Sequence, residues 1–285
     1  MITVIGVTSE PGRTLFGKLA KGNHTVLGIG RDRQKLVEIK DEVCKKFPLT
    51  DVKSIDIEQD TSFLSGTKIL FHCSRPGLIK YLLSDSLKHL IALGSTRKFS
   101  KYPDAKRKAV MEMENIISAS AVPATILHPT MIYGATTQNN IQRIIQVVKK
   151  WPIIPLPLNG KALIQPIHNE DVAKALINCL ENKAVVNKSV VLAGPSPMTY
   201  RDFVEKIVIA TGFSCRVVPL PYILIKVLLK ISKYFSNLPE VEEAELRRLL
   251  EDKNFDTLDM QTLLKIRSRN FTEGIKQFIS LRNGK

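Results

Sequence analysis

The chain has 285 residues, of which 44% are hydrophobic and 24% charged, a composition typical of a globular protein with a substantial core. We find no apolar run of the ~18–20 residues that a membrane-spanning helix requires, and no basic leader before the first apolar stretch. We therefore expect a cytoplasmic protein. The net charge of +15 is spread along the chain without an arginine-rich arm, which favours anionic small ligands over nucleic acid.

The cysteines show no paired spacing that would indicate a metal site or a disulfide framework. In a reducing compartment such residues are expected to be buried thiols. We therefore predict no metal site from these four residues: Cys44, Cys73, Cys179 and Cys215.

The N-terminal segment predicts a strand, a tight turn and a helix, the opening unit of a dinucleotide-binding fold. In such a unit, backbone N–H groups and the helix N-terminus hold a pyrophosphate. When Thr8 is aligned with the first residue of a Thr-Gly-x-x-Gly-x-x-Gly pattern, Gly12 is the one glycine kept, and Ser9 and Leu15 replace the others. An ordinary strand-to-helix turn is the alternative. The candidate cofactor-binding residues here are Thr8, Ser9, Pro11, Gly12 and Arg13.

The second apolar run, residues 25–30, predicts a strand whose end lies beside the adenosine ribose. An acid at that point would accept from the 2′-hydroxyl of NAD, whereas a guanidinium suits the 2′-phosphate of NADP. Arg31 follows the strand, so we predict NADP as the preferred cofactor. Asp32 leaves NAD possible, and solvated loop charges at Arg31 and Arg33 are the structural alternative.

Further apolar runs at 52–57, 68–73, 89–93 and 124–128 alternate with helical segments. This alternation predicts an α/β fold with a doubly wound parallel sheet of the Rossmann type. Ligands bind beyond the carboxyl ends of the strands in such a sheet. We therefore expect the residues at those ends to meet around the cofactor. These candidates are Asp56, Ile57, Cys73, Ser74, His128 and Thr130.

Three segments carry a family resemblance: residues 124–134 (ATILHPTMIYG), 165–175 (QPIHNEDVAKA) and 191–202 (VLAGPSPMTYRD). In order and spacing they resemble the NAD-dependent epimerase/dehydratase family, the extended and atypical short-chain dehydrogenases/reductases. His128 stands where the family has an arginine. The resemblance implies a nicotinamide cofactor and hydride transfer on a small or nucleotide-linked substrate. The alternative is a non-catalytic nucleotide-binding scaffold or sensor that keeps the fold.

The resemblance also implies catalysis by a Tyr-x-x-x-Lys pair and a serine or threonine after the fifth strand. The candidates are Ser95 or Thr96, with Tyr102 and Lys106 as the pair. A spacing of four places both side chains on one helical face, where the ammonium lowers the phenol pKa. Pro103 argues against this placement, because proline is tolerated only at the start of a helix.

A second alignment of the same segment supplies no tyrosine. If Glu114 matches the family's glutamate, Lys106 and Val110 occupy the tyrosine and lysine positions. If Glu112 matches it instead, Asp104 and Lys108 occupy these positions. The structural alternative to a catalytic pair is that Tyr102 is a loop residue and Lys106 a solvated lysine.

The C-terminal third predicts a small, mainly helical lobe over the substrate. We expect residues 1–150 to form the dinucleotide-binding domain, with 163–194 returning to it, and 151–162 and 195–285 to form the lobe. A predicted helix at 221–235 has a lysine stripe. It suits a capping lobe, or alternatively a peripheral membrane or partner contact. Further helices are predicted at 241–251, 257–265 and 271–281. The oligomeric state stays open.

Overall fold

The computed structural model describes residues 1–102, 104–134, 140–225 and 247–283. Its strands follow one another along the chain and most are short. In chain order they are β1 (Ile2–Ile5), β2 (Val26–Gly30), β3 (Thr50–Ser54), β4 (Ile69–His72), β5 (His89–Leu93), β6 (Ala124–Pro129), β7 (Ile132–Tyr133), β8 (Ile153–Pro157), β9 (Leu163–Ile164), β10 (Ile167–His168), β11 (Lys188–Leu192), β12 (Met198–Thr199) and β13 (Arg216–Leu220).

Seven of these strands form one parallel sheet in the order β11-β6-β5-β4-β1-β2-β3. The strand order reverses between β1 and β4, and a crevice opens at such a point beyond the carboxyl ends of the strands. The predicted doubly wound parallel sheet is confirmed. β11 lies at one edge, paired with β6, so that the segment around residue 190 joins the main sheet.

Helices cover both faces of this sheet, and others belong to the C-terminal part of the chain. They are α1 (Glu10–Lys21), α2 (Arg33–Ile39), α3 (Ala105–Ser118), α4 (Asn140–Lys150), α5 (Asn169–Ile177), α6 (Tyr200–Thr211), α7 (Leu258–Leu263) and α8 (Phe271–Asn283). Short 3-10 turns at Pro76–Tyr81 and Thr96–Phe99 follow β4 and β5. In the part of the chain that the structure describes, no helix is both long and apolar enough to span a bilayer.

Two apolar cores lie on opposite faces of the sheet. One joins α1 and α5 to the sheet through residues such as Leu15 and Leu176, and the other joins the Pro76–Tyr81 turn and α3 through Leu78 and Met113. Every residue of β1, β2 and β5 is buried, because parallel strands between two helical layers have no solvent face. This rigid platform fixes the loops at the carboxyl ends of the strands.

A third core lies in the C-terminal part of the chain. It gathers Tyr133, Phe203 and Phe271 with apolar residues of α4, α6 and α8. The proline-rich segment that follows Trp151 forms β8, which pairs in parallel with β13. The proposed division into two domains stays a prediction. Most of the predicted helices at 221–235 and 241–251 lies outside the described residues.

Candidate functional site

The turn between β1 and α1 has a different glycine register from the one predicted. Gly6 directly follows β1 with φ of +79°, and a Cβ there would lie 2.6 Å from the Cys73 carbonyl oxygen. A Cβ on Gly12 would lie 2.2 Å from the Gly6 carbonyl oxygen. These are the roles of the first and last glycines of a dinucleotide-binding turn, the tight turn and the close helix-to-strand contact.

The alignment that began at Thr8 was therefore wrong by three residues. Ser9 replaces the middle glycine, the one that lets a pyrophosphate approach the backbone. Leu15 is a fully buried core residue of α1 and has no part in the turn. The spacing of six between Gly6 and Gly12 was the sequence signal for the correct register.

Several backbone N–H groups of the same turn already donate to acceptors within the turn. The N–H of Ser9 donates to the Gly6 carbonyl at 2.8 Å, and that of Arg13 donates to the Ser9 carbonyl at 2.8 Å. The Ser9 hydroxyl accepts from the N–H of Gly12 at 3.2 Å and donates to the Cys73 carbonyl at 2.9 Å. Pro11 has no N–H. At three of these four positions the backbone N–H is thus already hydrogen-bonded, and at Pro11 there is none.

Arg13 is not directed at a phosphate site in this structure. Its guanidinium pairs with Glu38 at 3.2 Å and with Glu42 at 2.8 Å. It therefore joins α1 to α2 and to the segment that follows α2, and the structure does not bring it to the other candidate cofactor residues.

A small pocket of about 50 Å³ lies where β1, β2 and β3 end. Five of the predicted cofactor residues line it, namely Thr8, Arg31, Asp56, Ile57 and Ser74. Gly30 is the strand-end residue here, and a Cβ on it would lie 2.7 Å from the Thr8 side chain, so an acid does not fit there.

Asp32, the residue that left NAD possible as the cofactor in the sequence analysis, has a structural role here. It is the N-cap of α2, and its carboxylate accepts from the N–H of Lys35 at 3.1 Å. It does not line the pocket, whereas Arg31 does.

A much larger cleft of about 790 Å³ opens beyond β4, β5 and β6. Ser74, Arg75 and Leu78 line both this cleft and the small pocket, so the two adjoin at the sheet edge, and together they are called the groove below. Of the predicted residues, it brings together Cys73, Ser74, Ser95 and Lys106. Sequence reasoning missed the cationic residues of its wall, Arg75, Lys80 and Arg97, because loop arginines and lysines carry no positional signal.

The structure separates Ser95 from Thr96. Ser95 lines the cleft and its hydroxyl accepts from the N–H of Arg97 at 3.1 Å, which leaves its own proton available to a ligand. The Thr96 hydroxyl donates to the Pro129 carbonyl at 3.3 Å, and Thr96 does not line the cleft. Ser95 is therefore the hydroxyl placed to contact a ligand.

Tyr102 and Lys106 do not share a helical face. α3 begins at Ala105 with Asp104 as its N-cap, so Tyr102 precedes the helix, and it does not line the cleft. The residues of α3 that reach the cleft are Ala105, Lys106, Ala109 and Val110. In the alignment that matches Glu114 to the family's glutamate, Lys106 and the buried Val110 occupy the tyrosine and lysine positions. Both of these residues line the cleft.

His128 lies behind the cleft wall rather than in it. It is 1% exposed, and its Nδ1 accepts from the N–H of Ser95 at 3.2 Å, while its Nε2 lies 2.9 Å from Glu114 Oε1. Burial, together with the Lys98 ammonium, lowers the pKa of His128 to about 4. The imidazole is thus neutral near pH 7, with the proton on Nε2. It positions the Ser95 loop and makes no contact with the groove.

Thr130 is also turned away from the groove. Its hydroxyl donates to the Gln165 carbonyl at 2.5 Å, and its side chain is buried. Thr130 and His128 were both predicted to contact cofactor, and the structure does not bring either to the cleft.

This fold and groove define a doubly wound α/β protein with a ligand cleft at the point where the strand order reverses. The sequence model of the NAD dependent epimerase/dehydratase family matches residues 87–194. The resemblance found in the sequence is thereby confirmed over the segment from β5 to the end of β11.

Among curated relatives, the chloroplast stem-loop binding protein of 41 kDa b from Arabidopsis thaliana is 27% identical over 159 residues, 55% of this chain and 40% of the relative. Subunit 9 of the NADH dehydrogenase [ubiquinone] 1 alpha subcomplex of Dictyostelium discoideum is 26% identical over 133 residues, 46% of this chain and 36% of that protein. The chain thus matches less than half of the length of these relatives.

Solved structures resemble the fold over almost the whole chain. The triphenylmethane reductase of Citrobacter sp., solved with NADP(H), has a TM-score of 0.75 at 17% identity and covers 98% of this chain and 100% of its own. The UDP-glucuronic acid 4-epimerase of Bacillus cereus, solved with UDP-glucuronic acid and NAD, has a TM-score of 0.74 at 13% identity, with coverage of 100% and 99%. At these identities the likeness is one of fold.

Proposed function

We propose that this protein binds NADP(H) across the carboxyl edge of its sheet and transfers hydride to or from a small or nucleotide-linked substrate in the large cleft. The observation that carries the proposal is that the pocket of Arg31 and Asp56 adjoins the 790 Å³ cleft, with Ser74 and Arg75 lining both. The family match and the cofactors named for the solved neighbours support it.

The two ends of the groove offer NADP(H) and a substrate more binding groups than its middle does. At the adenosine end, the Arg31 guanidinium would pair with the 2′-phosphate, and Asp56 and Ile57 would border the adenine. In the middle, the turn has few backbone donors for a diphosphate. At the other end, Ser95 would donate its hydroxyl proton to a substrate oxygen in the cleft. Bound NADPH would supply the hydride.

The adenosine end gives a direct test. NADPH and NADH are titrated against the native protein, Arg31→Glu and Arg33→Glu. Arg33 is an exposed residue at the start of α2 that does not line the pocket, so it is the matched control for charge. We expect NADPH affinity to fall at least about tenfold in Arg31→Glu alone, and NADH affinity to change little. Equal losses in both variants would contradict the proposed 2′-phosphate contact.

A second candidate function is nucleotide binding without turnover. The position of Tyr102 outside the cleft and the buried Val110 on the cleft face of α3 favour it. One of the relatives is also named as a subunit of a larger assembly. NADPH oxidation over a broad panel of carbonyl and nucleotide-sugar substrates separates the two: turnover abolished by Ser95→Ala supports hydride transfer, whereas tight NADPH binding without turnover supports the second function.

A further inference from the structure

The wall of the large cleft is strongly cationic. Among the residues that line it, Arg75, Lys80, Arg97 and Lys106 carry positive charge and Glu58 carries negative charge. Glu58 is 3.6 Å from Arg75, at the end shared with the small pocket. The positive charge at the α3 end of the cleft is therefore not balanced by that carboxylate.

Asp104, the N-cap of α3, has a carboxylate beside this end of the cleft, and that carboxylate is already engaged. One oxygen accepts from the N–H of Arg107 at 2.7 Å, as the N-cap of α3, and the other bonds the guanidinium groups of Arg97 at 2.9 Å and Arg248 at 2.6 Å. Burial raises the pKa of Asp104, but the Arg107 hydrogen bond and the charges of Arg97, Arg248 and Lys106 lower it overall. The Asp104 carboxylate thus bonds two guanidinium groups and makes no hydrogen bond to Lys106 among those the structure shows.

Lys106 is the cation of this group that projects from the first turn of α3 into the cleft. The α3 surface beside it is small or apolar, with Ala109 and Val110, and the cleft lining also includes Leu78 and Ile132. An ammonium beside an apolar wall suits a ligand with an anionic group attached to an apolar body.

We propose that the α3 end of the cleft is an anion subsite, in which Lys106 contacts a carboxylate or phosphate group of a small substrate with an apolar body. Lys106 and Arg97 do not line the small pocket, so this subsite is separate from the one assigned to the 2′-phosphate. The proposal rests on the proposed function only in calling this ligand a substrate. The binding itself is a property of the cleft.

The test compares matched acids and neutral analogues on the NADPH-saturated protein. Benzoate, phenyl phosphate and the neutral benzamide are titrated by calorimetry and by saturation-transfer NMR. The variant is Lys106→Gln, and the control is Lys108→Gln, an exposed lysine of the same helix that does not line the cleft. We expect the two anions to bind at least about tenfold more tightly than benzamide, and this preference to disappear in Lys106→Gln but not in Lys108→Gln.

The outcomes separate this subsite from the cofactor site. Equal binding of benzoate and benzamide, or equal losses in the two lysine variants, would overturn the proposal. Displacement of benzoate by NADPH would also overturn it, since the anion would then occupy the cofactor groove. If NADPH does not bind, the proposed function fails, and the same titrations on the protein alone still test the subsite. A preference for phenyl phosphate over benzoate would identify phosphate as the group recognised.

Discussion

We predict that the proline at the second position of α1 weakens diphosphate binding in this groove. The first N–H groups of a helix have no partner within the helix, and they bind phosphate in dinucleotide folds. Pro11 removes one of these donors, and Ser9 already engages the N–H of Gly12. We expect Pro11→Ala to restore one charge-assisted hydrogen bond, worth about 1.5–3 kcal/mol, which corresponds to about 10–150-fold tighter NADPH binding.

Calorimetric titration of NADPH measures this change, with Pro48→Ala as the control. Pro48 is an exposed loop proline far along the chain from the turn, so it reports the general effect of losing a proline. Adenosine 2′-monophosphate, which has no diphosphate, serves as a second ligand whose affinity Pro11→Ala leaves unchanged. Unchanged NADPH affinity in Pro11→Ala would refute the reasoning, because the diphosphate would then lie away from the α1 N-terminus.

Three further predictions concern catalysis, pH and packing. Because Tyr102 lies outside the cleft, Tyr102→Phe should leave NADPH affinity and any turnover within about twofold of native, and a larger loss in either assay would place it in the site. Burial lowers the pKa of His72 to about 4. Its Nε2 donates to the Arg75 carbonyl, and its Nδ1 has no hydrogen-bond partner among the described residues. As the pH falls, this histidine is therefore protonated in the unfolded state before it is protonated in the folded state. The free energy of unfolding should therefore fall as pH drops from about 6.5 toward 4, by up to about 1.4 kcal/mol per pH unit for this residue, and urea unfolding of His72→Gln should show a shallower slope. The Asp171 carboxylate is 2% exposed and pairs with the Arg269 guanidinium at 3.0 Å, so Asp171→Asn should cost about 3–5 kcal/mol in urea unfolding, and a cost below about 1 kcal/mol would mean that water already screens the pair.

The alternation of apolar runs with helical segments was enough to predict the doubly wound parallel sheet. A strand buried on both faces reads as a continuous apolar run, and parallel neighbours need a crossover between them, so the pattern is local and visible. The same logic predicted that residues following different strands would meet. Thr8, Arg31 and Asp56 do line one pocket.

Local sequence patterns were therefore sufficient to predict the architecture and the edge of the sheet at which the groove lies. The tertiary structure decided which side chains enter that groove. Ser95 and Thr96 are adjacent in the chain, and only the carbonyl of Pro129, brought in by β6, turns Thr96 away. The role of Gly6 likewise became clear only in three dimensions, because the Cys73 carbonyl oxygen that leaves no room for a Cβ there follows β4 and is distant in the chain.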